Sequence, residues 1–196
     1  NFQNAGSAGT PPVGPVDQRV RAMKITAADG RLLGGTYMVA CHCTTLGATP
    51  LVSGDWAGIS AQRLEQHFPG AIMLPVIGCG ADVNPNPRGS YELAGQHAAE
   101  VVDAVVQVFA REQLTSLDRF PVAQFGYAGL IPENPSREEV QKRAKSDSYH
   151  EKFWAERMLQ VLSEMGRLPE SYPMPIHTWQ FGEQLTWVFL GGDVVA

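Results

Sequence analysis

The sequence predicts an α/β fold in which a mixed β-sheet is flanked by helices. Three observations carry this. Strand-type and helix-type segments alternate along the chain; a short apolar run at residues 71–77 empties into a Gly-, Pro- and Asn-rich stretch followed by a long amphipathic segment; and paired strand signals joined by turn residues stand near each end. A chain of 196 residues is long enough to bury a core without help from disulfides or metals.

Residues 1–15 are rich in Gly, Ala, Ser and Pro without periodicity and predict a flexible N-terminal arm. Residues 16–196 then form the domain proper. Residues 19–26 favour a strand, Ala28-Asp29-Gly30 supplies a turn, and residues 31–41 read as a second strand, which makes a hairpin. Ser53-Gly54-Asp55 offers capping oxygens ahead of a helix over 56–67, whose apolar spacing runs through Trp56, Ile59, Leu64 and Phe68 and whose stop is Pro69-Gly70. Residues 71–77 have the pattern of a fully buried strand. After the loop of residues 78–87, Ser90 caps a long helix in which apolar residues recur at three- and four-residue steps as far as Phe109. A strand over 120–127 precedes a charged helical stretch, 136–166, bracketed by Pro135 and Pro169, which predicts a helical pair over the sheet or an insertion beside it. Strands over 175–181 and 184–190, joined at Gly182-Glu183, close the chain as a hairpin.

Composition narrows the function classes. Hydrophobic residues at 44% and charged residues at 18% fit a globular protein, and 20 Gly with 14 Pro fit many tight turns. The net charge of -5 comes from interspersed acids and bases with no basic block, which argues against nucleic acid as a partner. No apolar run approaches the roughly 20 residues that span a bilayer, so a soluble chain is expected. Three cysteines cannot all pair with one another, and Cys41 and Cys43 are too close in sequence for an ordinary bridge. Both are expected to be packed thiols on the strand face opposite His42. The sequence opens on Asn1 and stops after a strongly apolar run, so it reads as a piece of a longer protein.

The residues with chemistry to offer cluster at two loops. His42 follows an apolar strand, where an imidazole can project from a rigid element into a cleft; without context, a hydrogen-bonded strand histidine is the commoner case. Ser53-Gly54-Asp55 reads either as a plain helix cap or as a group that orients a ligand histidine. The loop of residues 78–87 combines small residues with Asp82, Asn84 and Asn86, and lets backbone N–H groups approach a substrate or oxyanion closely. As a dinucleotide loop it fails, because Val83 stands where the later glycine is needed. No Gly-x-Ser-x-Gly elbow is present, so metal-activated water is favoured over a serine nucleophile.

Taken in order, His42-Cys43-Thr44-Thr45-Leu46, Ser53-Gly54-Asp55-Trp56-Ala57-Gly58 and Gly80-Ala81-Asp82-Val83-Asn84-Pro85-Asn86 resemble the motif series of the neutral/alkaline ceramidases and their bacterial relatives. Gly14-Pro15-Val16-Asp17 and the closing hairpin are similar to flanking segments of that family. The resemblance implies part of the catalytic domain of a larger zinc hydrolase, in which one catalytic Zn2+ activates water against the amide bond of a sphingolipid-like substrate. His42 then matches the metal-binding histidine of a His-x-Thr-Ser/Thr motif. Asp193, in Gly191-Gly192-Asp193, stands where the family has the carboxylate of a Pro-Gly-Glu segment, and the remaining ligands are expected outside these residues. Thr44 and Asp55 support the metal ligands, Asp82 and Asn84 occupy the catalytic loop, and Gly80 and Asn86 contact substrate. Ceramidases have a functional serine where this chain has Asn84, and Ala81 replaces the glycine before Asp82, which puts ceramide itself in doubt. Two other functions fit the same scaffold: a non-catalytic ligand-binding module, and a zinc hydrolase of a non-lipid amide or ester. The resemblance further implies a lipid or small-molecule amide as partner, peripheral membrane contact, and export to the periplasm or beyond. It also implies weak or absent zinc binding, and no activity, for these 196 residues alone.

Overall fold

The computed structural model describes the backbone of residues 2–4 and all of residues 14, 16–117 and 119–195. It is a mixed α/β fold that divides into two compact units, residues 1–116 with 193–196, and residues 117–192.

The first unit is built on a three-stranded sheet in the order β2-β3-β4. Strands β2 (Arg21–Thr26) and β3 (Leu32–Val39) form the expected antiparallel hairpin around Ala28-Asp29-Gly30, with Gly30 taking the positive φ of 86° that the turn requires. Strand β4 (Ile72–Ile77) runs parallel to β3, and helix α1 (Asp55–His67) lies between them in sequence. Helix α2 (Tyr91–Phe109) starts as expected at Ser90, whose Oγ accepts from the Leu93 N–H at 3.2 Å. Trp56 and Leu64 of α1 and Val101 and Val105 of α2 pack with Tyr37, Val39 and Met73 of the sheet in one core. Gly35 lets the Phe109 ring settle directly on β3, since a Cβ there would fall 2.5 Å from its Cζ.

Several expectations change. β3 ends at Val39 rather than Cys41, because the backbone bends at residues 40–41, and Cys43 is exposed rather than packed. β4 is an edge strand and is not fully buried: Ile72 and Leu74 are 64% and 59% exposed on the face away from the helices. The Gly- and Pro-rich stretch after it contains a strand, β5 (Val83–Pro85), which pairs antiparallel with β1 (Phe2–Asn4). The rest of the expected arm lies outside the described residues, apart from Gly14.

The second unit is an antiparallel sheet of β6 (Val122–Leu130), β7 (Tyr172–Phe181) and β8 (Leu185–Leu190), with helices α3 (Arg137–Arg143) and α4 (Tyr149–Met165) between β6 and β7 in sequence. The two helices begin at Ser136 and Ser148, whose hydroxyls accept first-turn N–H groups, and α4 ends at Gly166 in the left-handed conformation. Among the described residues no helix is long and apolar enough to cross a membrane.

Candidate functional site

Because β3 and β4 are parallel, their C-terminal ends open on the same edge of the sheet, the place where open α/β sheets bind ligands. The chain leaves β3 into the turn that carries His42 and leaves β4 into the loop that carries Asp82, Asn84 and Asn86. The two loops are laced together. Gly78 N–H donates to Val39 O at 2.9 Å, His42 N–H to Val83 O at 3.0 Å, and Gly89 N–H to Thr45 O at 2.6 Å. Gly80 is buried against the Ala40–Cys41 peptide so closely that a Cβ would lie 2.5 Å from Ala40 C and Cys41 N. Its missing side chain lets the second loop settle beside His42.

His42 is half-buried. Its Nε2–H donates to the Ala81 carbonyl at 2.8 Å, which fixes the proton on that nitrogen, and Nε2 lies 3.5 Å from Asp193 Oδ2. Ala81 ties the arrangement on its other side, donating its N–H to Val194 O at 3.1 Å. Residues far apart in sequence, His42 and Asp193, are thus neighbours.

The hydrogen bonds of Asp55 and Thr44 run to groups other than the His42 ring. Thr44 Oγ1 donates to Asn84 Oδ1 at 2.7 Å and so couples the two loops. The buried Asp55 carboxylate accepts from Trp56 N–H at 2.7 Å and from Leu46 N–H at 2.9 Å. The plain-cap expectation for Ser53-Gly54-Asp55 is corrected: the N-cap residue of α1 is Gly54, with no side-chain cap bond, while the Ser53 hydroxyl accepts from Asp55 N–H at 3.1 Å. Trp56, read from sequence only as a helix-face residue, is fully buried and donates Nε1–H to His42 O at 2.9 Å. Nothing in its spacing distinguishes that bond from ordinary core packing.

Asn86 is exposed, whereas Asp82 Oδ1 and Thr45 Oγ1 are buried with no hydrogen-bond partner among the described residues. Such orphaned acceptors are uncommon, because each forfeits its hydration. Burial pushes the Cys41 thiol up to about 12, so it is an inert, packed thiol at neutral pH.

A comparison with solved structures aligns 95% of this chain with neutral ceramidase from Pseudomonas aeruginosa at a TM-score of 0.61 and 12% identity, and 95% with a ceramidase complexed with C2 at 0.61 and 13%. The fold is shared with the ceramidases. The chain spans 37% and 39% of the lengths of those two structures. No protein-family model and no curated protein matches the sequence.

Imidazole and carboxylate are donors that zinc accepts, but a catalytic zinc takes three protein ligands. Among the described residues no group of three or more His, Cys, Asp or Glu could hold a metal ion. A metal at His42 Nε2 would also have to replace the proton now given to Ala81. The donor types fit zinc; their number does not, and His42 with Asp193 is at most part of a ligand set.

Proposed function

We propose that this chain is part of a zinc-dependent amidohydrolase of the ceramidase type, to which it contributes His42 and Asp193 as metal ligands and residues 80–86 as one wall of the substrate site. The observation that carries the reading is the 3.5 Å approach of His42 Nε2 to Asp193 Oδ2 at the sheet edge of a ceramidase-like fold. Zinc, when bound, supplies Lewis-acid activation of water and of an amide carbonyl. The chain's own residues do the positioning. In the metal-free chain Ala81 holds the imidazole through its carbonyl, and Thr44 and Asn84 hold the two loops in register. Asp82 stands in that wall with its Oδ1 buried and without a partner among the described residues, and exposed Asn86 is its residue open to a substrate.

Asn84 favours a second reading of the substrate. Its carboxamide oxygen is engaged by Thr44, and it offers no hydroxyl where the ceramidases place their serine, so a non-lipid amide or ester fits the same machinery. Turnover of a fluorescent short-chain ceramide, beside a panel of simple amides and esters, separates the two when measured on the longest natural polypeptide containing this sequence. We expect zinc-dependent turnover of an amide that is abolished in His42→Ala. Absence of zinc-dependent turnover for every member of the panel would leave a binding module as the better account.

A further inference from the structure

We propose that Asp55 and Trp56, the first two residues of α1, are positioning residues that clamp the loop carrying His42 from both ends. The inference rests on the reading of His42 as a metal ligand. At the N-terminal end of the loop, the main chain of His42 is held on both sides: its N–H donates to Val83 O at 3.0 Å and its carbonyl accepts the Trp56 indole N–H at 2.9 Å. At the other end, Leu46 N–H donates to Asp55 Oδ2 at 2.9 Å, while Oδ1 accepts from Trp56 N–H at 2.7 Å and ties the two clamp residues to each other. Four residues after the histidine, the chain is therefore gripped again by the same helix start.

Two features separate this from incidental packing. Asp55 has a φ of 50°, a conformation sparsely populated by residues other than glycine, which persists where the surroundings over-determine it and which gathers at functional sites. Both residues are almost wholly buried, Asp55 at 3% and Trp56 at 0% exposure, so neither carboxylate nor indole is screened by water or free to change rotamer. Gly54 permits the arrangement, since a Cβ there would fall 2.8 Å from the Gly58 Cα. A rigid helix start thereby fixes the backbone from which the imidazole projects, the kind of support that metal-ligating histidines need in order to hold one orientation.

Trp56→Phe keeps an aromatic ring and removes the indole donor; Asp55→Asn keeps the shape and weakens the grip on Leu46; Leu64→Ala disturbs the same helix in the core away from the loop. The readouts are the imidazole nitrogen resonances of His42 in the metal-free 196-residue chain and the affinity for zinc alone. Both clamp variants are expected to shift or broaden the His42 resonances and to weaken zinc binding by about 10–100-fold, whereas Leu64→Ala lowers stability and moves neither. The proposal is overturned if the folded clamp variants leave the His42 resonances in place, or if Leu64→Ala moves them as far. Should Trp56→Phe fail to fold, Asp55→Asn decides. Should the 196-residue chain bind no zinc, the resonances alone judge the clamp, and the metal reading is judged by zinc binding to the longest natural polypeptide containing this sequence.

Discussion

At the scale of single residues, small chemical details set what the site can do. The Ala81 carbonyl, for example, decides which nitrogen of His42 bears the proton. A buried hydroxyl in the core makes an independent prediction. Burial pushes the Tyr37 phenol up from 10.0 to about 12, against the lowering effect of its hydrogen bond with Ser60 at 2.7 Å. Between those values the unfolded chain has released a proton that the folded chain keeps. The contribution is therefore fully present below pH 10 and is lost as pH rises through about 12. Urea midpoints across that alkaline window should fall with pH, and the Tyr37-dependent part of that fall should be absent in Tyr37→Phe. That His42 and Asp193 lie together was legible only through the motif order, because nothing local announces that residues so far apart will meet. Trp56 was illegible as a loop clamp, since its helical spacing is that of any core residue.

At the scale of elements, the hairpin β2–β3, the strand–loop–helix series from β4 to α2, the helical pair α3–α4 and the hairpin β7–β8 follow from periodicity and turn chemistry in the sequence. The boundaries that moved did so for physical reasons. β3 stops short because the backbone bends at residues 40–41, where the Gly80 backbone packs against the same peptide. The open face of β4 could not be read from an apolar run that looks the same whether one face is covered or two. Caps offer a direct comparison. Ser90→Ala should destabilise the chain by about 1 kcal/mol, as the loss of a true N-cap does, whereas Ser53→Ala should cost distinctly less because Gly54 is the N-cap residue of α1. Thermal or urea unfolding of the two variants checks this. Gly80→Ala should cost about 1–3 kcal/mol by overpacking the Ala40–Cys41 peptide, and should weaken zinc binding with it because the loops must part.

At the scale of the whole molecule, both units leave apolar surface open. Strands β6, β7 and β8 contain no Asp, Glu, Lys or Arg, and Phe125 and Tyr127 of edge strand β6 are 57% and 67% exposed. Unprotected, uncharged edges pair readily with other chains. The 196-residue chain should self-associate with rising concentration in sedimentation experiments, and Val122→Lys on β6 should reduce that association. The proposed zinc site has two converging donors where a catalytic zinc takes three, and the chain spans 37–39% of the two ceramidase structures whose fold it shares. Zinc titration of this chain beside His42→Ala and Asp193→Ala tests that account most directly. It predicts one weak zinc site per wild-type chain, with affinity falling at least about tenfold in either variant. Equal binding by all three proteins would contradict it.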